Sequence, residues 1–230
     1  DCVLIGGGAG AAAHAALAQF PAAPSWFSAP VLAASLGDDA GVIGAATTAL
    51  KNRPTKRAVF VNGVPASGKS GVARALADAT GWPILALDTV KNPFLTILPP
   101  GDRLFNRTLG RAAYAAIFDL IAAAPGNTTV IIDAWFGFQP IETLQDHIQR
   151  AGLTDLAEIW CHAPPEMIGA RYAARLGSRP AGHPGAEYVP ELISLAQRAA
   201  ATGLAPRLDV DTTAPARAQA LTDWLATIWR

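Results

Sequence analysis

The sequence predicts an α/β protein in which a five-stranded parallel sheet is covered by helices and preceded by a small N-terminal appendage. From residue 57 onwards, short runs of strand-forming residues alternate with stretches of helical periodicity. Such alternation is typical of parallel strands joined by helices. Before it, the basic and proline-containing stretch "KNRPTKR" (51–57) ends a region rich in alanine and glycine. We therefore expect an appendage at 1–52 and the main domain at 53–230.

The first part of the main domain contains two predicted strands and two predicted helices. The runs "RAVFVNG" (57–63) and "WPILALD" (82–88) predict strands, and "GKSGVARALADAT" (68–80) predicts the helix between them. Residues 104–124 carry apolar side chains near one face at helical spacing. These are Leu104, Leu109, Ala113, Ile117, Leu120 and Ile121.

The second part of the main domain continues the alternation. The β-branched run in "NTTVIIDAW" (127–135) fits a strand that is buried on both faces. The stretch "PIETLQDHIQRAG" (140–152) predicts a helix that closes with glycine. A strand at 156–163, a helix at 165–176 and a strand at 207–213 follow, and a helix ends the chain.

The composition excludes several classes of protein. Hydrophobic residues make up 51% of the 230 residues, charged residues only 16%, and the net charge is zero. This balance favours a buried core over disorder and argues against a nucleic-acid partner. No stretch has the sustained apolar length of a membrane span, so we expect no membrane partner. The two cysteines, Cys2 and Cys161, match no metal-binding spacing and suit a reducing cytoplasm.

The turn after the first strand of the main domain carries the pattern G-x-x-x-x-G-K-[ST]. Glycines let the backbone curl so that successive N–H groups point at phosphate oxygens, and the following helix adds its positive N-terminus. The lysine reaches the β- and γ-phosphates, and the serine hydroxyl can ligate Mg²⁺. An accidental glycine turn is the alternative, but one of only four lysines stands at the required position. The predicted phosphate-binding residues are Gly63, Val64, Pro65, Ala66, Ser67, Gly68, Lys69, Ser70 and Gly71.

Two aspartates end predicted strands, at the edge of a parallel sheet where ligands bind. Asp133 follows the apolar run "VII" and resembles an acid that holds Mg²⁺ directly or through water. A carboxylate without function would be costly to bury there. Asp88 ends the second strand and has two interpretations. It either caps the next turn or receives the proton of an acceptor hydroxyl.

The stretch "ARYAARLGSRPAGHPG" (170–185) contains three arginines. Arg171 and Arg175 are four residues apart and share a helix face, and Arg179 follows in a loop. Arginines that close over a transferring phosphoryl group neutralise its developing charge. The alternative is a solvated basic helix.

Other side chains have weaker signals. Trp135 and Phe136 follow Asp133 and either stack on a substrate or belong to the core, and His183 is a lone histidine in a glycine–proline loop. Four basic residues either bind an anionic acceptor or form a solvated helix face. They are Lys91, Arg103, Arg107 and Arg111.

Over residues 57–213 the order of these features resembles the small P-loop kinases, and among them the chloramphenicol phosphotransferase-like group. The resemblance rests on "GVPASGKS", "LALDTV", "VIIDAW" and "IWCHAPPEMIGARYAARLGSRPAGHPG". It implies a P-loop NTPase fold of nucleoside-monophosphate-kinase type, ATP with Mg²⁺, and phosphoryl transfer to a hydroxyl of a small molecule. In that group an aspartate after the second strand acts as base, which corresponds to Asp88. Where the group often places a second acid after the third-strand aspartate, this chain has Ala134 and Trp135.

Residues 2–50 resemble the C-terminal end of ROK-family sugar kinases and repressors, on the segments "CVLIGGGAG" and "SLGDDAGVIGAATTAL". In that family a glycine-rich turn meets the adenosine of ATP. The resemblance does not extend to the catalytic aspartate, the zinc-binding cysteines or the other half of the nucleotide cleft. We therefore expect fusion to a sugar kinase-like domain in the intact protein, and fold-level analogy makes carbohydrate the expected acceptor.

These expectations combine into an ATP-dependent, cytoplasmic kinase acting on a sugar or sugar-like alcohol. Lys69 and the loop bind phosphates, Ser70 and Asp133 hold the metal, and Asp88 handles the acceptor hydroxyl. Arg171, Arg175 and Arg179 close the site. Two alternatives stay open, a regulatory ATPase module attached to a sugar kinase and an antibiotic-modifying phosphotransferase. The former would have a working phosphate loop without an acceptor base, so Asp88 discriminates.

Overall fold

The computed structural model describes residues 2–7, 9–19, 30–36, 39–51, 55–99, 101–180 and 182–229. The chain divides into two compact units, 1–54 and 55–230. Residues 52–54 of the basic stretch lie outside the described residues, as do Gly8 and residues 37–38 of the two segments that resemble sugar kinases. No helix within the described ranges is both long enough and apolar enough to cross a membrane.

The first unit is a small α/β element. Strand β1 (Val3–Ile5) pairs in parallel with β2 (Val31–Ala33), with helix α1 (Gly10–Leu17) between them and α2 (Ala40–Lys51) after them. Several large apolar side chains of this unit are exposed, including Leu4 at 65%. The described part of this unit therefore buries little apolar surface within itself.

The second unit is built on a five-stranded sheet in which every neighbouring pair is parallel. This confirms the predicted fold class. The spatial order is β4-β5-β3-β6-β7, and all five carboxyl ends therefore lie along one edge of the sheet. The strands are β3 (Lys56–Asn62), β4 (Ile84–Ala86), β5 (Thr129–Asp133), β6 (Leu153–His162) and β7 (Arg207–Asp211).

Seven helices of this unit surround the sheet in the described ranges. They are α3 (Lys69–Thr80), α4 (Leu87–Ile97), α5 (Arg103–Ala123), α6 (Ile141–Ala151), α7 (Pro165–Ala174), α8 (Val189–Arg198) and α9 (Ala218–Ile228). Most begin and end within two residues of the predicted positions, because their apolar faces repeat at helical spacing. Helices α4 and α8 have no counterpart among the sequence predictions.

The central strand β3 connects two apolar layers because its side chains alternate between the faces of the sheet. Phe60 is fully buried among side chains of α5, including Tyr114. Val59 and Val61 are buried on the opposite face, against α3 and α9. A strand covered on both faces leaves only its carboxyl end open to ligands, and the phosphate loop begins there.

The second strand of the unit is shorter than the sequence predicts. The run 82–88 was expected to be a strand throughout, but β4 ends at Ala86 and α4 begins at Leu87. Asp88 therefore lies in the first turn of a helix, where a carboxylate complements the helix dipole. Ala86 occupies the N-cap position, and no side chain caps this helix.

Candidate active site

The phosphate loop joins β3 to α3, and its two glycines have conformations and contacts that other residues cannot share. Gly63 has φ of 144° and Gly68 has φ of 88°, both in the region that favours glycine. A side chain on Gly63 would overlap the carbonyl oxygen of Cys161, and one on Gly68 would lie 2.8 Å from the Thr212 Cβ atom. The loop therefore packs directly against β6 and the end of β7.

Two side chains at the start of α3 provide the polar groups of the loop. Lys69 Nζ donates a hydrogen bond to the Val64 carbonyl oxygen at 3.0 Å. Burial lowers the pKa of Lys69, while the nearby Asp133 carboxylate raises it. The Ser70 hydroxyl donates to Asp133 Oδ2 at 2.7 Å. Ser70 and Asp133 lie close together because β5, which ends at Asp133, is the neighbour of β3 in the sheet.

Ser70 and Asp133 fit the binding of Mg²⁺. Asp133 is only 8% exposed, and a carboxylate and a hydroxyl are the hard oxygen ligands that this ion prefers. Among the described residues no group of three His, Cys, Asp or Glu side chains forms a metal cluster. An ion held by these two oxygens would take its other ligands from water and phosphate, as Mg²⁺ usually does.

A cavity of about 600 Å³ opens in front of the loop. This volume is in the range of small-molecule sites. Helices α4, α5 and α7 contribute to its walls. Eight of the predicted site residues line it, namely Pro65, Ala66, Lys69, Ser70, Asp88, Asp133, Arg175 and Arg179. The structure thus brings together residues that are more than a hundred positions apart in the sequence.

A second cavity of about 630 Å³ lies on the other side of the loop, beside Gly68 and Gly71. It is lined by the turn after β7, which includes Thr213 and Pro215. Ala66 lines both cavities. A nucleotide with its phosphates on the loop therefore has space on one side for its nucleoside and on the other for an acceptor.

The three predicted arginines do not form one cluster. Arg171 donates from Nη2 to the Thr212 carbonyl oxygen at 2.7 Å and from Nη1 to the Thr212 hydroxyl at 3.2 Å. It lines the second cavity and not the first, whereas Arg179 lines the first and Arg175 lines both. The expected closing of all three over one phosphoryl group does not match this arrangement. Arg171 lies one helical turn earlier, within reach of the end of β7.

Asp88 lies between two cations at the wall of the first cavity. Its carboxylate oxygens are 3.7 Å from Lys91 Nζ and 3.8 Å from Arg179 Nη2. The Asp88 side chain is 57% exposed, so these ion pairs add little to stability. Arg179 also lies over the Tyr172 ring, 5.0 Å from its centroid. The Asp88 carboxylate is therefore accessible from the cavity and surrounded by positive charge.

The residues with weaker sequence signals lie in different parts of the structure, some in the core and others at the first cavity. Phe136 is buried and stacks on Phe60 with ring centroids 4.5 Å apart, so it belongs to the core. Trp135 lines the first cavity. His183 Nε2 lies 2.9 Å from Asn92 Oδ1. Burial, together with the cations Lys91 and Arg179, lowers the pKa of His183 to about 4, so its ring is neutral at neutral pH.

A buried hydrogen-bond network behind the loop was missed by sequence reasoning. Asn62 Oδ1 accepts from the Gly63 backbone N–H at 2.7 Å and from the Phe136 N–H at 3.2 Å. Its amide donates to Glu158 Oε1 at 2.6 Å, and the Thr202 hydroxyl donates to Glu158 Oε2 at 2.6 Å. The network fixes the start of the phosphate loop. Its only sequence signal was a polar residue inside each of two apolar strands.

We expect Glu158→Ala to lower the free energy of unfolding by about 2–4 kcal/mol, because it leaves the buried amide of Asn62 and the half-buried donors of Thr202 without an acceptor. Urea denaturation measures the loss. Asp78→Ala is the matched control, since Asp78 is exposed on α3, and it should change stability by less than about 0.5 kcal/mol. Equal effects of the two variants would contradict a structural role for Glu158.

The fold and the site define a P-loop α/β protein with a glycine-rich loop, a hydrogen-bonded Ser70–Asp133 pair and a cavity on each side of the loop. A family model described as an AAA domain matches residues 59–204. The chain belongs to that family. No curated protein matches the sequence.

Solved structures give further comparisons. A protein from Chloroflexus aurantiacus J-10-fl, provisionally named a kinase, is 25% identical and has a TM-score of 0.64. The match covers 77% of this chain and 99% of that one. A sugar kinase from Janibacter sp. HTCC2649 is 22% identical with a TM-score of 0.47, over 76% of this chain and 95% of that one. The shikimate kinase of Acinetobacter baumannii, in complex with shikimate, is 15% identical with a TM-score of 0.47, over 80% and 97%.

Proposed function

We propose that the protein is an ATP-dependent kinase that phosphorylates a hydroxyl of a small molecule, a sugar or sugar-like alcohol. The observation that carries the proposal is the meeting of the phosphate loop, the Ser70–Asp133 pair and the accessible Asp88 carboxylate around one cavity. The similarity to the Chloroflexus protein supports it, since that protein is named as a kinase and is covered over 99% of its length.

Each of these groups has a role in phosphoryl transfer. Lys69 and the loop N–H groups bind the phosphates, and Ser70 and Asp133 would hold Mg²⁺, which would supply positive charge against the phosphates. The acceptor oxygen bonds to the γ-phosphorus as the bond to the β,γ-bridging oxygen breaks and ADP leaves. Asp88 receives the hydroxyl proton. Arg175 and Arg179 neutralise the charge that develops on the transferred group.

The second cavity is the proposed place for the nucleoside of ATP. It adjoins Gly68 and Gly71, and Arg171 is fixed there by Thr212. In this arrangement Arg171 supports the nucleotide, and the acceptor approaches from the cavity that contains Asp88. A site that uses ATP in this way suits the cytoplasm.

The alternatives differ from this proposal in defined ways. A regulatory ATPase would hydrolyse ATP with no acceptor, and an antibiotic-modifying phosphotransferase would share the chemistry and differ only in the acceptor.

For residues 2–50 we propose the origin that their resemblance implies, the end of a sugar kinase-like module fused to the kinase unit. The exposed apolar side chains of the first unit, such as Leu4 and Val42, support this because they need a covering surface.

A screen tests the proposed function. ADP formation and phosphorylated product are measured together for a panel of sugars, polyols and aminoglycosides. We expect at least one acceptor to give product in a one-to-one ratio with ADP. ADP formation that no acceptor increases, with no phosphorylated product, would favour the regulatory ATPase. Transfer to aminoglycosides alone would favour the antibiotic-modifying enzyme.

The segment 175–180 should become ordered when the nucleotide and the acceptor bind. Arg179 in this segment pairs with Asp88 only at 3.8 Å, a distance that a bound ligand can shorten, so the segment is suited to act as a closing lid. We expect its amide exchange to slow by at least about tenfold in the presence of MgADP and the acceptor found in the screen. Amides of β3 serve as the internal control. Equally slow exchange in apo and bound protein would exclude a lid.

A further inference from the structure

The four basic residues near the first cavity are not equivalent. Lys91 on α4 and Arg107 on α5 line the cavity. Arg103 instead forms an ion pair with Glu191, with Nη2 and Oε1 2.6 Å apart. Arg111 is exposed and lines neither cavity. Two of these cations therefore face the space in which an acceptor would bind.

Lys91 is a buried cation with unused hydrogen-bonding capacity. Its side chain is 9% exposed, and the nearest carboxylate oxygen, Asp88 Oδ1, is 3.7 Å from Nζ. This is beyond hydrogen-bond distance. Within the described residues Lys91 Nζ makes no hydrogen bond, although an ammonium group has three donors. Burial lowers the pKa of Lys91, the nearby Asp88 carboxylate opposes this shift, and the Arg179 cation adds to it. Asp88 thus compensates the Lys91 charge in part, but at 3.7 Å it is too far from Nζ to accept a hydrogen bond.

A second buried polar side chain lines the same cavity. Asn106 on α5 is 8% exposed, and its carboxamide oxygen has no hydrogen-bond partner in the described structure. Buried polar groups are almost always hydrogen-bonded in native proteins. Two such groups on neighbouring helices, both lining one cavity, indicate that a polar ligand completes their hydrogen bonds.

The charged side chains around Lys91 indicate the sign of the charge that this ligand carries. Arg107 and Arg179 line the same cavity and add two cations, whereas the opposing acid on α4 is Asp88. His183, with its lowered pKa, is neutral at neutral pH. Asp133 lies at the phosphate loop, where Lys69 and Ser70 accompany it. The α4–α5 side of the cavity therefore carries an excess of positive charge.

We propose that the acceptor carries an anionic group, a carboxylate or a phosphate, which binds Lys91 while a neighbouring hydroxyl approaches Asp88. The inference rests on the proposed function and narrows its substrate class. Since Lys91 Nζ and Asp88 Oδ1 are 3.7 Å apart, the anion and the reacting hydroxyl are separated by only a few bonds. The acceptor is thus a compact polyhydroxy acid or sugar phosphate, with Asn106 placed to hydrogen-bond another of its polar groups.

Two sets of acceptors with matched carbon skeletons test this. One set is glycerol, glycerate and glycerol 3-phosphate, and the other is glucose, gluconate and glucose 6-phosphate. We expect kcat/KM for an anionic member to exceed that for its neutral counterpart by about 10- to 100-fold, as one charge-assisted contact would give. The carboxylate and phosphate members distinguish the two sources of the anion.

Variants show whether Lys91 causes the preference. Lys91→Met should lower kcat/KM for the anionic member by about 10- to 100-fold more than for the neutral one, mainly through KM. Lys91→Arg should retain part of the preference because it keeps the charge. Arg111→Met, the same type of change on α5 away from both cavities, should leave both values unchanged. Thermal unfolding of each variant checks that it is folded. If Lys91→Met does not fold, Lys91→Arg still tests the role of Lys91.

The outcomes separate this inference from the proposed function. Efficient transfer to glycerol or glucose with weaker transfer to their anionic counterparts would overturn the anionic acceptor and leave the kinase intact. An equal loss for neutral and anionic members in Lys91→Met would overturn the role of Lys91. Phosphorylation of neither neutral nor anionic members, with ATP still bound and hydrolysed, would overturn the proposed function and the inference with it.

Discussion

The Lys69→Ala variant should lose most of its MgATP affinity or turnover while it remains folded. In the proposed function the lysine is the cation of the loop that binds the phosphates, and a charge-assisted contact of this kind contributes about 1.5–3 kcal/mol. This corresponds to a loss of about 10- to 100-fold. Its described hydrogen bond is to a loop carbonyl, that of Val64, so its removal should leave the sheet intact.

Calorimetric titration with MgATP and a steady-state assay measure this effect, and thermal unfolding checks the fold. Lys56→Ala is the matched control. Lys56 lies at the opposite end of β3, where its Nζ donates to the carbonyl oxygens of Ile121 and Ala122 at 2.9 and 2.7 Å. The control should bind MgATP normally. Unchanged binding and turnover in Lys69→Ala would exclude the phosphate-loop assignment.

The features of the site that the sequence could predict are those that depend on local chemistry. The loop pattern states which backbone conformations and side chains are needed within eight consecutive residues, so Gly63, Gly68, Lys69 and Ser70 could be assigned functions directly. The sheet was predictable because its strands are apolar runs of the length expected for strands buried on both faces. Asp133 could be paired with the loop because carboxyl ends of parallel strands share an edge.

The remaining features depend on tertiary contacts that no local pattern contains. Arg171 and Arg175 look equivalent at helical spacing, yet only Arg171 donates to Thr212 at the end of β7, 41 residues later in the chain. The Asn62–Glu158 hydrogen bond joins positions on neighbouring strands whose order the sequence does not state. Helix α4, which was not predicted from the sequence, begins at Leu87 directly after the edge strand β4, whose pairing with β5 spans only three residue pairs. These are contacts between elements and not properties of one segment.

The Asp88→Asn variant separates an enzyme from a regulator. Asparagine keeps the shape of the side chain and removes the proton acceptor, so turnover with the true acceptor should fall by about 10²–10⁴ while ATP affinity changes little. The free energy of unfolding should hardly change, because the Asp88 carboxylate that pairs with Lys91 and Arg179 is itself largely exposed to solvent. Single-turnover transfer and equilibrium ATP binding measure the two quantities separately.

Two further variants give this result its meaning. Asp133→Asn should weaken the dependence on Mg²⁺ and slow both transfer and background hydrolysis, because Asp133 is assigned to the metal and not to the acceptor. Asp78→Asn, the same change at an exposed position of α3, should leave both rates as they are.

A kinase whose base is Asp88 loses transfer in Asp88→Asn and keeps hydrolysis. If transfer persists in that variant, Asp88 has only a structural role at the start of α4. If hydrolysis is the sole activity of every variant and of the native chain, the site belongs to a regulatory ATPase.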